Sequence, residues 1–198
     1  MTTIPGQNHL HVFMRKPLFL LTMLLLLVAC DKAENEYTSR TCYLVIDNSV
    51  HQDATLAAAM TPYSNVFATV SIIFESGAQY FYFQSNQGGT PTKSIFNAID
   101  RRRTFRVGMN NGVIVGYGSL EGRFYAYDRE CPNCFNPNAI PVKSYPLNVA
   151  TNGIASCNNC HRKYDLNIGG ILVEGDYGSK MTHYRSGSTG PYGNLSVN

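Results

Sequence analysis

Short apolar segments, rich in aromatic and β-branched residues and cut apart by turn residues, recur along most of this chain. Such segments read as strands. They fall at 42–47, 66–74, 79–84, 104–107, 113–117, 123–127, 140–145, 164–167, 171–174 and 181–184. The breaks between them include Asn86-Gln87-Gly88-Gly89, Asn110-Asn111-Gly112, Glu121-Gly122 and Gly169-Gly170. Gly122 lies between two strand segments and suits a hairpin. Only 54–60 suggests a helix, and a short one. No internal repeat is visible. Many short strands with close turns predict an all-β fold, a sandwich or a small barrel. In Tyr80-Phe81-Tyr82-Phe83 the aromatics alternate, which places them on both faces of a covered strand; a stacking platform is the other reading. From Ser186 the chain turns Gly/Ser-rich, and 187–198 reads as a flexible tail.

The start of the chain follows a different pattern. Arg15 and Lys16 precede a Leu-rich run over 17–28, too short to span ~30 Å of bilayer as a helix. A positive flank, a short apolar core and small residues make a secretory signal over 1–29. Met14 is an alternative start, because Met14-Arg15-Lys16 opens an ordinary signal. The run ends in Leu27-Val28-Ala29-Cys30, which resembles the lipobox of bacterial lipoproteins. That resemblance implies a lipid on Cys30, export, and membrane attachment in the envelope with a periplasmic or surface-facing domain. Residues 30–40 then form a polar tether. Its acidic start resembles the surface-export signals of Bacteroidetes lipoproteins.

Residues 1–29 carry two basic and no acidic side chains, so the formal charge drops from +3 to +1 without them. That balance makes no electrostatic case for nucleic acid. About 165 remaining residues suit one domain, read over 41–186. Arg101-Arg102-Arg103 reads as a solvated loop or, alternatively, as an anion contact.

The chemistry is carried by two C-x-x-C pairs, Cys131-Pro-Asn-Cys134 and Cys157-Asn-Asn-Cys160, separated by 22 residues. Each pair can turn a knuckle that aims two sulfurs at one point, and two knuckles supply a tetrahedron of thiolates. Zn²⁺, a single iron and an iron–sulfur cluster all accept such a set. Two disulfides are the alternative in an oxidising compartment. Export of an unfolded chain favours zinc, which can bind afterwards. His161, next to Cys160, is a candidate to hydrogen-bond a sulfur or to replace Cys160. Lys143 and Arg162 are candidates to offset the charge of four thiolates. Cys42 is left over and reads as a small buried hydrophobe. His51 and His183 show no partner spacing. No nucleophile elbow, phosphate loop or paired-carboxylate motif is present, and no catalytic residue is assigned.

The order Phe124-Tyr125-Ala126-Tyr127-Asp128, a Cys-Pro loop, a second Cys loop and then Tyr164-Asp165 leading to Gly169-Gly170 resembles the Rieske family. The segment from Gly112 to Pro132 is also similar to Rieske-like lipoproteins of Bacteroidales. The resemblance implies a Rieske-like β domain with a metal-binding subdomain, and with it an electron-transfer role and a redox partner. The chain departs from the family at the ligand positions, where Asn133 and Cys160 stand in the two histidine slots. Two imidazoles raise the Rieske potential, and four thiolates lower it. The site therefore looks closer to a rubredoxin or zinc ribbon carried on Rieske loops.

Overall fold

Strand patterning dominates the computed structural model, which describes residues 35–198. The signal segment 1–29 and the lipid acceptor Cys30 lie outside the described residues. Thirteen strands form three antiparallel sheets. The largest has six strands. It runs β11 (His183–Tyr184), β6 (Phe124–Asp128), β5 (Val113–Tyr117), β2 (Phe67–Glu75), β3 (Ala78–Ser85), β4 (Thr92–Ile95). The two long strands β2 and β3 are joined by Ser76 and Gly77 alone. Both have positive φ, 48° and 80°, which gives a tight hairpin matched to strand twist. The expected β5–β6 hairpin forms, pairing Tyr117 with Phe124.

Both faces of this sheet are covered around β5 and β6, and there the alternation of side chains decides which core each residue joins. Val113, Val115, Ala126, Ala68 and Val70 point to one side. There they meet Leu44 and Ile46 of β1 (Leu44–Asp47), Leu195 and Val197 of β13 (Asn194–Val197), and Leu56 and Met60 from the helix Ala54–Ala59 and its end. Phe67, Ile114, Tyr125 and Tyr127 point to the other side. They pack on Leu147, Ala155 and Tyr164 of a four-stranded sheet ordered β10 (Ile171–Glu174), β9 (Lys163–Asp165), β8 (Ile154–Cys157), β7 (Leu147–Val149). That sheet is an insertion between β6 and β11, which are themselves paired neighbours. The alternating aromatics of β3 fall on two faces, with Phe81 and Phe83 fully buried on one and Tyr80 and Tyr82 half-buried on the other.

Several expectations are corrected. The tail is not loose: β12 (Ser186–Ser188) and β13 complete a three-stranded sheet with β1, and Leu195 and Val197 are fully buried. Small Gly and Ser residues there serve close turns. Segment 140–145 is not a strand. Pro141 and Pro146 remove two ladder donors, and Ile140 is 99 % exposed. Segment 104–107 contributes a single bridge, Arg106 to Tyr43. Strands β4, β7 and β8 and the one-turn helix Asn48–His51 form without a clear apolar signal.

Candidate metal centre

Both knuckles sit at one end of the inserted sheet. Cys131 follows β6 by two residues, and two buried carboxylates shape that approach. Asp128 accepts from the Glu130 N–H at 2.8 Å, the Met109 N–H at 2.7 Å and the Tyr184 hydroxyl at 2.7 Å. Glu130 accepts from the Asn110 amide at 2.7 Å, the Ser144 hydroxyl at 2.5 Å and the Tyr145 N–H. It thereby fixes the loop whose Tyr145 carbonyl takes the Cys131 N–H at 2.9 Å.

The two turns repeat one hydrogen-bond scheme. Phe135 N–H donates to the Cys131 carbonyl at 2.9 Å, and His161 N–H donates to the Cys157 carbonyl at 2.9 Å. In the second turn His161 takes φ of +58°, an uncommon conformation for a residue with a Cβ. Its contribution is this backbone position. Its side chain is exposed and is not among the converging donors. The second knuckle is closed by Cys157 N–H donating to the Arg162 carbonyl at 3.0 Å.

All four Sγ atoms, from Cys131, Cys134, Cys157 and Cys160, lie within 4.8 Å of one another, an arrangement that can hold a metal ion. Cys131 and Cys160 are 3.7 Å apart, and Cys134 and Cys157 3.8 Å. A disulfide would need ~2.05 Å, and all five described cysteines are free thiols. The four sulfurs form one group drawn from both knuckles, so neither C-x-x-C turn acts alone. Cys131 and Cys157 are buried, whereas Cys134 and Cys160 are half-buried and face the surface.

Polar groups around the sulfurs tie the two knuckles to each other. Tyr164, fully buried, brings its hydroxyl to 3.6 Å from the Cys131 sulfur and accepts from the Asn133 amide at 2.8 Å. Asn133 also clasps Ser179, donating to its carbonyl and accepting from its N–H, each at 2.8 Å. Asn159 donates to the Cys134 sulfur at 3.3 Å. Arg162 reaches the carbonyls of Asp176 and Tyr177 at 3.0 and 3.1 Å. A strap over 175–179 is thus bound by Asn133 from the first knuckle and by Arg162 just past the second. Gly178 allows the close approach, since a Cβ there would lie 2.5 Å from the Asn133 Oδ1.

The thiols are unequal. Burial pushes Cys131 and Cys134 up. Burial also opposes ionisation of Cys160, but the Arg162 N–H and guanidinium and the neighbouring thiols outweigh it and bring its pKa down to about 6. One sulfur is therefore ready as a thiolate, and a bound divalent ion would deprotonate the others. Arg162 fills its expected charge-offsetting place. Lys143 places its ammonium 5.2 Å from the centre of the Tyr145 ring, which packs against the cluster that holds Cys131 and Cys157. His51 and His183 are away from the sulfurs. His51 bonds Ser94 at 2.8 Å and faces Asp100 at 3.1 Å, and His183 lies among tyrosines. Cys42 is buried, and burial raises its thiol to about 11, as for a small hydrophobe.

Sequence reading missed Glu130, Asn133, Tyr164 and Ser179 as supports of the site. Only their nearness to the cysteines in the chain could have signalled the first three. Comparison with family models, curated proteins and solved structures returned no match.

Proposed function

We propose that this chain is a lipid-anchored protein of the bacterial envelope whose Rieske-like β domain holds one zinc ion in a closed Cys₄ site. The ion acts structurally, in a binding or scaffolding module. The observation that carries this reading is the pair of cross-knuckle distances, 3.7 and 3.8 Å. A tetrahedron with metal–sulfur bonds of ~2.3 Å has edges of about 3.8 Å. Four thiolates complete the coordination of such an ion and leave no position for substrate, so the site has no hydrolytic role. The all-thiolate donor set suits zinc, and zinc can load after export.

The Rieske-like reading draws support from topology. Both cysteine loops sit on a four-stranded sheet inserted between neighbouring strands of a larger sheet. The anchor reading rests on the sequence around Cys30. No helix of the described residues is long and apolar enough to cross a membrane.

A second reading, an iron-based electron carrier, is favoured by the half-buried edge at Cys134 and Cys160, which gives a partner access to the ion. A single iron suits the geometry better than a [2Fe-2S] cluster. Two irons would divide the thiolates into separated pairs, whereas all four sulfurs lie within 4.8 Å. Metal analysis of protein purified from its native envelope tests the proposal. One zinc per chain and no visible absorption is expected. Coloured, iron-loaded protein would replace the first reading with the second, and two disulfides with no metal would end both. Because structural zinc adds an apparent ~10–16 kcal/mol to folding, Cys134→Ser should collapse stability in a thermal melt; an unchanged midpoint contradicts a structural ion.

A further inference from the structure

We propose that a groove away from the sulfurs binds an acidic saccharide, one that carries carboxylate or sulfate groups. The groove, about 1200 Å³, is lined by Arg40, Arg103 and Arg106, with Ile72 and Gln79 of the β2–β3 hairpin at one side. Its existence follows from a topological gap. β5 pairs with β2 only over Phe67–Val70, so no strand pairs with the far half of the long hairpin on that edge, where the Asn111 amide instead accepts from the Ile72 N–H at 3.0 Å and donates to the Ile72 carbonyl at 2.8 Å. The segments 38–41 and 103–109 cross this opening and are bridged by Tyr43 and Arg106.

Charge is the first argument. No acidic side chain lines the groove. Among the described residues none of the three arginines forms an ion pair with a carboxylate. Their bonds go to neutral groups: Arg106 donates to the Thr41 hydroxyl at 2.6 Å, and Arg103 to the Val45 carbonyl at 3.5 Å. Of the buried carboxylates beside it, Asp128 beneath Gly108 is committed to Met109 and Tyr184, and Asp100 to the Asn97 N–H and His51. Three uncompensated guanidiniums around one space repel each other. An oxyanion relieves that repulsion and matches the guanidinium fork. The Arg101-Arg102-Arg103 run divides here. Arg101 folds back on the Phe96 carbonyl at 3.0 Å, and Arg103 enters the groove.

The lining selects a saccharide among anions. The remaining walls divide evenly between hydroxyl or amide side chains, such as Thr104 and Gln79, and apolar ones, such as Ile72, Phe96 and Met109. The apolar part includes Phe105, stacked on the half-exposed Tyr43 with centroids 6.2 Å apart and planes 20° from parallel. Sugar hydroxyls find partners on the walls, the C–H face of a ring packs on the aromatic, and the acid group meets arginine. The volume exceeds the ~300–1,000 Å³ of a site for one drug-sized molecule, which suits a short chain of sugars.

The test uses the full chain and isothermal titration with four probes: a galacturonate hexamer, a heparin-derived octasaccharide, a neutral maltohexaose and an oligoglutamate. The two acidic saccharides should bind and the neutral one should not, with affinity falling steeply between about 0.05 and 0.5 M salt. Tighter binding of the heparin fragment assigns sulfate as the preferred group, and of the galacturonate, carboxylate. The double variant Arg103→Gln/Arg106→Gln should weaken binding at least ~10-fold with unchanged metal content. No binding of either acidic saccharide, equal binding of the neutral one, tighter binding of oligoglutamate, or full affinity in the double variant overturns the proposal. The ranking of probes on the unaltered protein decides even if the variant misfolds. None of these outcomes bears on the metal reading.

Discussion

Asn133 shows how a single residue can hold a site without being one of its sulfur donors. It occupies a place where the Rieske resemblance leads one to look for histidine. Its amide makes three hydrogen bonds of 2.8 Å, to Tyr164 and twice to Ser179. The two bonds to Ser179 are exposed and the one to Tyr164 is half-buried, so each contributes about 0.5–1.5 kcal/mol. Asn133→Ala should therefore destabilise the protein by about 2 kcal/mol in urea unfolding, while metal per chain stays constant, because no ligand is lost. A drop in stoichiometry would show that Asn133 takes part in coordination after all. At this scale the sulfurs were legible, since C-x-x-C spacing constrains a local turn. Glu130 and Tyr164 were not, because a lone polar residue acquires a role only from what folds against it. His161 was misjudged for the opposite reason. Its ring attracted attention, but its left-handed backbone is what the knuckle uses.

Elements were legible in proportion to their apolar content. Strands β5 and β6 are buried on both faces and announce themselves by near-continuous apolar runs. β13 does not: Asn194-Leu195-Ser196-Val197 looks like a frayed end among Gly and Ser. Yet it is the central strand of its sheet, paired with β1 on one side and β12 on the other. Two apolar residues at a spacing of two suffice when a waiting core accepts them. Leu195→Ala should cost about 3 kcal/mol through loss of burial and the cavity left behind, read as a lower thermal midpoint. A variant as stable as the parent would mean that the C-terminal strand is dispensable. The run 140–145 fails in the reverse direction, since Pro141 within it and Pro146 just after it remove donors that a strand would need.

For the whole molecule, a buried histidine sets part of the acid limit. The His183 ring lies within 4.9, 5.4 and 5.1 Å of the rings of Tyr37, Tyr125 and Tyr127. Burial pushes its pKa from 6.5 down to about 4. The unfolded chain then takes up the proton first, so stability is lost as pH falls from 6.5 toward 4, by on the order of 3 kcal/mol. Asp128 acts in the opposite sense: burial raises its carboxyl, so protonation as pH falls favours the folded state. In thermal melts between pH 7 and 4.5, His183→Phe should flatten the acid loss relative to the parent. Parallel pH profiles would remove His183 from the account. Loss of metal to protons affects both proteins alike and cancels in the comparison.

The amino-acid sequence by itself determined the all-β class, the β5–β6 hairpin and the four sulfur donors. Each depends on short-range pattern: alternation, turn residues, or two cysteines three apart. Only the tertiary structure decided that the two knuckles bring their four sulfurs together, that the C-terminal strand lies at the centre of a sheet, and that three arginines share one groove. Those facts depend on segments distant in the chain meeting at particular distances, and burial, not local propensity, selects such meetings.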